Sequence, residues 1–201
     1  MNALRIVRYV AWVAVAIVAA ATGYAAWQWQ GGAAPERLVA ASIGGPFALT
    51  DQKGATVTEA ALKGHPSAMF FGYTFCPDVC PTTLFEMTAW LDTLGPDADR
   101  LKVYFVTVDP ERDTREQMAS YLSAFDPRIT GLTGSPAAVE QMTKAYRIYS
   151  RKVPLDSGSY IMDHTASIYL LDANGVFSGT IDYKESPDTA VAKLKRLVER
   201  S

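Results

Sequence analysis

Cys76 and Cys80 are the only two thiols among 201 residues, and they lie one short loop apart in Phe70-Phe71-Gly72-Tyr73-Thr74-Phe75-Cys76-Pro77-Asp78-Val79-Cys80-Pro81-Thr82-Thr83. A thiolate attacks disulfides and ligates soft metals, so a close pair opens three chemistries. As a structural staple it would close a loop of only about five residues, worth on the order of 2 kcal/mol in the chain-entropy model and little for a domain with its own core. As a thioredoxin-type redox pair it has three intervening residues where the usual spacing is two. As a metal site it needs a third donor, and the chain has two histidines. His65, in Lys63-Gly64-His65-Pro66, belongs to a turn that opens an apolar strand, which puts it at the far end of the sheet from the Cys loop. His164, in Asp163-His164-Thr165, stands immediately before the strand candidate Thr165 to Leu171. If that strand runs antiparallel to Ser67 to Tyr73, His164 arrives beside the Cys loop. Two thiolates and an imidazole suit Cu(I), and imidazole also suits Cu(II). Structural zinc would want a fourth protein ligand, a place left to Asp78, Asp163 or water.

The elements that must position these residues can be read from pattern. Ser67 to Tyr73 is nearly continuous in apolar residues, as expected of a strand covered on both faces, and Leu101 to Val108 is a second such candidate. Phe47 to Thr50 and Thr56 to Thr58 read as short strands around the turn Asp51-Gln52-Lys53-Gly54. Each cysteine precedes a proline, which biases both away from helical dihedrals, so both thiols are expected in the loop with Pro81 opening a helix to Leu94. Leu84, Met87, Leu91 and Leu94 then recur at helical spacing. The positive end of that helix favours the thiolate form. Thr114 with Gln117 forms a potential capping box before a helix to Phe125, while Ser135-Pro136 and Ser186-Pro187 open two more helices. Thr165 to Leu171, Asn174-Gly175 and Val176 to Asp182 read as a hairpin with a tight turn. The fold class is therefore α/β, a thioredoxin-like fold: a central mixed sheet flanked by helices, with a C-terminal hairpin and helix.

Composition narrows the partners and the compartment. A net charge of −2 gives no electrostatic reason for nucleic acid binding, and Lys193-Leu194-Lys195-Arg196 reads as the solvated face of a last helix. Arg5 and Arg8 precede an uncharged run from Tyr9 to Trp27, which as a helix nearly spans a hydrocarbon core of about 30 Å. A cleaved signal peptide would carry a shorter apolar region and end at a small-residue site; Ala19-Ala20-Ala21 offers one, but the uncharged run continues past it. The expected organisation is thus a cytoplasmic N-terminus at 1–8, a transmembrane anchor at 9–27, a linker at 28–38 and a soluble domain at 39–201. Tyr24, Trp27 and Trp29 fit an interfacial belt at the outer end of the span, and the positive-inside rule places the domain in the periplasm.

Three segments together carry a family resemblance: Phe71-Gly72-Tyr73-Thr74-Phe75-Cys76-Pro77-Asp78-Val79-Cys80-Pro81-Thr82-Thr83, Val106-Thr107-Val108-Asp109-Pro110-Glu111-Arg112-Asp113-Thr114 and Asp163-His164-Thr165. Over roughly Val39 to Leu197 the chain resembles the Sco/SenC proteins. The resemblance implies a thioredoxin-like domain on one membrane helix, acting in copper delivery to cytochrome c oxidase. It implies that Cys76, Cys80 and His164 bind one copper ion and that the acceptor is the dinuclear copper centre of oxidase subunit II. An upstream copper donor and a thiol reductant would be further partners. Of the neighbouring carboxylates, Asp163 is placed to orient the His164 ring, Asp109 ends the strand Leu101 to Val108 where α/β sheets put functional groups, and Asp78 lies between the cysteines. Tyr149 to Tyr160 resembles the inserted hairpin that flanks the family's metal site. The rival function is a thiol-disulfide oxidoreductase, yet Asp163-His164-Thr165 stands where thioredoxin-type reductases typically keep a cis-proline. A peroxiredoxin-like peroxidase would need only one of the cysteines and not His164.

Overall fold

The computed structural model describes residues 3–32, 43–156 and 158–200, and within the first helix the side chains of 9–25. The chain divides into two units, Met1–Ala41 and Ser42–Ser201. The first holds α1, Ala3–Gly32. Among the described residues no helix is long and apolar enough to cross a membrane. The side chains of Ala26 and Trp27, at the outer end of the expected span, lie outside them, as do Trp29 and most of the linker at 28–38.

In the second unit one sheet carries seven strands: β1 (Ala48–Asp51), β2 (Thr56–Thr58), β3 (Ser67–Gly72), β4 (Lys102–Thr107), β5 (Ile129–Thr133), β8 (Ile168–Leu171) and β9 (Phe177–Ile181), in the spatial order β2-β1-β5-β4-β3-β8-β9. β3, β4 and β5 run parallel in the middle, and antiparallel strands close both edges. All six residues of β3 and five of the six of β4 are buried, so helices cover both faces of the sheet. This is the mixed α/β arrangement of a thioredoxin-like fold. α2 (Val79–Leu94) packs on α5 (Pro187–Glu199), α3 (Arg115–Leu122) on β5 and α4 (Pro136–Ala145) on β1. A separate two-stranded ribbon, β6 (Ser150–Pro154) with β7 (Tyr160–His164), stands outside the sheet.

Local chemistry explains the boundaries. Thr114, Ser135 and Ser186 each accept a hydrogen bond from a backbone amide three residues on, at 3.2, 3.3 and 3.4 Å. The capping box at Thr114 forms by half, because the Gln117 side chain donates to Thr74 Oγ1 at 3.2 Å instead of turning back. The hairpin turns at Asn174-Gly175 as expected. Asp172 N donates to the Val176 carbonyl at 2.9 Å across a three-residue loop, and Gly175 takes φ +75°, the left-handed conformation that such a loop needs. β5 and the partition of 149–164 into β6 and β7 are not marked by any strong alternation in the sequence.

Candidate metal centre

β3 delivers the chain to the Cys loop through Gly72, where a Cβ would meet Cys80 Sγ at 2.8 Å. Beyond it the loop is tied down from beneath. Thr74 donates its amide (3.2 and 3.1 Å) and its hydroxyl (2.7 Å) to the carboxylate of Asp113, which also accepts from Thr107 Oγ1 at 2.6 Å. Asp113 is fully buried; burial pushes its carboxyl up, and the Thr107 and Thr74 donors pull it back. With its base fixed, the loop holds Cys76 half-buried and leads into α2. The expectation that both thiols lie in the loop is corrected here: α2 begins at Val79, so Cys80 sits in its first turn and Pro81 follows inside it. The first-turn N–H groups have no intrahelical acceptor, so a proline there removes no helix bond, and the bias against a helical residue before proline is overridden.

The two thiols differ sharply. Cys80 is fully buried, and its backbone N–H donates to Cys76 Sγ at 3.3 Å. The Cys80 thiol, with the His164 ring and the main chain of Asp78 and Cys80, favours the Cys76 thiolate and pushes that group down to about 4 against the cost of burial. Cys80 moves the other way, pushed up first by its hydrogen bond to Cys76, then by burial and the Cys76 charge. The pair therefore holds one proton and one negative charge.

His164 arrives as expected beside the Cys loop, but at the end of β7, not at the head of β8. Ile168 of β8 lies opposite Phe70 of β3 in antiparallel register, which brings the chain just before it to the end of β3. Alternation along β7 leaves Tyr160, Met162 and His164 partly buried, while Ile161 and Asp163 are exposed. His164 Nδ1 lies 2.9 Å from the Thr165 carbonyl, an acceptor only, so Nδ1 donates to it and Nε2 is the ring nitrogen turned toward the cysteines. Nε2 is 3.5 Å from Cys80 Sγ. Tyr73 meets the ring edge-on with centroids 5.8 Å apart, and Phe70 meets it at 6.3 Å. The donor atoms of Cys76, Cys80 and His164 all lie within 4.8 Å of one another. Cys76 and His164 border an open cavity of about 200 Å³ that Tyr73, Pro77 and Met162 also line, and Cys80 is buried beneath it. Two soft sulfurs and an imidazole nitrogen this close form a donor set suited to copper.

The carboxylates are placed differently from the sequence expectation. Asp163 faces away, 3.9 Å from Arg151, and the Thr165 carbonyl orients the His164 ring in its stead. Asp78 is exposed at the start of α2, where its Oδ1 accepts from Thr82 Oγ1 at 3.5 Å. Asp109 is buried, pairing with Arg112 and accepting from the Tyr160 hydroxyl at 2.9 Å. His65 is exposed, as expected, next to Gly64, whose amide donates to the Ala173 carbonyl at the opposite end of the sheet from the Cys loop. Sequence reasoning missed Asp113, Tyr73 and Arg112, although all three stand inside the quoted motifs.

The sequence matches the family described as SCO1/SenC over residues 35–199. The chain belongs to the SCO1/SenC family. It is 38% identical over 173 residues to the mitochondrial protein SCO2 homolog of Mus musculus, covering 84% of this chain and 68% of that one. The mitochondrial protein SCO2 of Saccharomyces cerevisiae is 36% identical over 163 residues, 79% of this chain and 54% of the yeast protein. Among solved structures, ScoI of Bradyrhizobium japonicum with copper bound superposes with a TM-score of 0.73 at 52% identity, covering 78% of this chain and 99% of that one. This SCO1/SenC member thus shares its fold with a relative that carries copper.

Proposed function

We propose that the chain is a membrane-anchored copper metallochaperone of the bacterial inner membrane, in which Cys76, Cys80 and His164 hold one copper ion, as Cu(I) or Cu(II). The acceptor is the dinuclear copper centre of cytochrome c oxidase subunit II during assembly. Residues 1–8 are cytoplasmic, 9–27 form the anchor, 28–38 the tether and 39–201 the copper-binding domain in the periplasm. One observation carries the reading: three soft donors meet within 4.8 Å, with the Nδ1 bond leaving His164 Nε2 free to ligate. No turnover chemistry is required. Thiolates or imidazoles of the acceptor replace Cys76, Cys80 and His164 by ligand exchange while both cysteines stay reduced. Oxidation to a Cys76–Cys80 disulfide removes two of the three donors, so redox state gates the site.

A second reading has its own support, the Cys76 thiolate held down to about 4 beside a protonated Cys80. In thiol-disulfide exchange, the Cys76 thiolate attacks an acceptor disulfide and expels one acceptor sulfur as thiolate. Cys80, losing its proton, then attacks Cys76 and releases the second, so two electrons pass to the acceptor and Cys76–Cys80 becomes the disulfide. An external thiol reductant must then restore the pair.

A copper titration of the full chain in detergent separates the readings. The wild type binds one copper, and Cys76→Ser, Cys80→Ser and His164→Ala each lose tight binding. His164→Ala binding as well as wild type would refute the three-ligand site. If His164→Ala still rescues oxidase assembly in cells and still reduces the apo-acceptor disulfide, exchange is the main activity.

A further inference from the structure

The loop after β4 carries Arg112, whose side chain is 21% exposed and touches three separate pieces of the site. Its Nε donates to Asp109 Oδ2, on a carboxylate that is itself buried, and its Nη1 donates to the Tyr160 carbonyl at 3.1 Å. The guanidinium carbon lies 3.7 Å from the Tyr160 ring centroid, 4.9 Å from Phe75 and 5.7 Å from Tyr73. Its Nη2 is buried with no hydrogen-bond partner among the described residues, so the hold comes from two N–H groups and the flat face of the cation. The Tyr160 hydroxyl closes the circuit on Asp109 Oδ1, and Lys152 Nζ of β6 reaches Glu111 of the same loop at 2.6 Å.

Tyr73 and Phe75 belong to the Cys loop, whereas Tyr160 opens β7, the strand that ends in His164. We propose that Arg112 is a positioning residue that fixes the distance of His164 from the cysteine pair by clamping the β6–β7 ribbon against the Cys loop. The ribbon needs such a clamp. A two-stranded ribbon is marginal by itself, β6 is largely exposed, and neither strand joins the main sheet. Metal ligands must hold their positions to within about 0.2 Å. Tyr73 links clamp and ligand directly, with Arg112 toward its face and His164 edge-on to it. Only arginine fits the role, since lysine keeps the charge but has neither the fork for Asp109 and the Tyr160 carbonyl nor a plane to stack on three rings.

The inference rests on the copper reading of the site for its consequence, though not for the clamp. Arg112→Lys in the full chain, charge preserved, is expected to weaken copper binding about 10–100-fold, the range for residues that orient a ligand, and to shift the thiolate-to-Cu(II) absorption band. In the metal-free protein, amide exchange across Tyr160–His164 should accelerate about tenfold or more, with β3 and β4 unchanged. Tyr160→Leu should act in the same direction, and Tyr160→Phe, which keeps the ring, should act less. Wild-type affinity, spectrum and exchange in Arg112→Lys would overturn the clamp, as would acceleration spread evenly over the domain. Should the wild type fail to bind copper, the copper reading falls alone, and the exchange pattern with the ¹⁵N shift of His164 Nε2 still decides the role of Arg112.

Discussion

Gly72→Ala tests whether the end of β3 is shaped by the sulfur that lies over it. Gly72 pairs with Thr107 in parallel register, and its carbonyl accepts from Val108 N at 2.8 Å, so the backbone there is held by its neighbour strand. An added Cβ would sit 2.8 Å from Cys80 Sγ and 2.7 and 3.3 Å from two ring carbons of Phe105. Non-bonded carbons rest at about 3.5–4.0 Å, so the overlap is roughly 0.7 Å or more. Neither neighbour can easily give way: both are fully buried, Cys80 is fixed in the first turn of α2, and Phe105 stacks on Phe70 with centroids 5.9 Å apart. Overpacking of this kind costs about 1–3 kcal/mol, and restricting the unfolded chain returns about 0.4–1 kcal/mol. The net loss, about 1–2 kcal/mol, should lower the Tm of a domain of this size by about 2–8 °C in a calorimetric scan of the metal-free protein. A copper titration of the same variant should show weakened binding, because the atom displaced is one of the three donors of the proposed site. A variant with unchanged Tm and unchanged copper affinity would refute the claim that Gly72 is required by the Cys80 sulfur.

The remaining predictions concern charge and anchoring. Cys76 of the reduced, metal-free protein should be alkylated by iodoacetamide at pH 5–6 while Cys80 is spared, with mass spectrometry locating the label; its folded-state value is depressed, so the reactive thiolate persists as pH falls and is lost only near pH 4. A rate that rises only near an ordinary thiol value of about 8.5 would contradict the shared-proton pair. Asp113→Ala strips the acceptor from the Thr74 amide, the Thr74 hydroxyl and the Thr107 hydroxyl, and should cost about 2–4 kcal/mol in denaturant unfolding. It should also expose the Thr74 amide to rapid exchange, and protection of that amide in the variant would show that something else ties down the loop.

What was legible in the sequence followed from local rules that tertiary structure left alone. Continuous apolarity marked β3 and β4, because a strand buried on both faces leaves no polar position to interrupt the run. The serine and threonine caps were readable because each satisfies amides within its own helix. His164 could be brought to the cysteines by topology alone, since antiparallel pairing of β8 with β3 sets which ends meet. Long-range competition hid the rest. Gln117 gives up its half of the capping box to Thr74, 43 positions away, and Asp163 yields the imidazole to a carbonyl because strand alternation turns its side chain to the other face. The importance of Asp113 and Arg112 was invisible for the same reason: within a motif of charged residues, only the fold says which charge goes inside.

The asymmetry of the cysteine pair bears on how the site would be emptied. Two thiolates within 4.8 Å repel by about 3 kcal/mol or more at an effective dielectric of about 20, and Cys80 is fully buried, so the pair without a cation keeps one proton on Cys80. If Cys80 holds copper as proposed, loading must expel that proton and unloading must take one back, which would tie release from Cys80 to proton uptake. Burial adds an order. Cys76 and His164 are half-exposed and border the open cavity, whereas Cys80 lies beneath them against Gly72 and Phe105. An incoming acceptor ligand thus meets Cys76 and His164 first. In the proposed transfer Cys80, the deepest donor and the one whose thiol form the fold favours, would be the last to let go and the one best stabilised once it had done so.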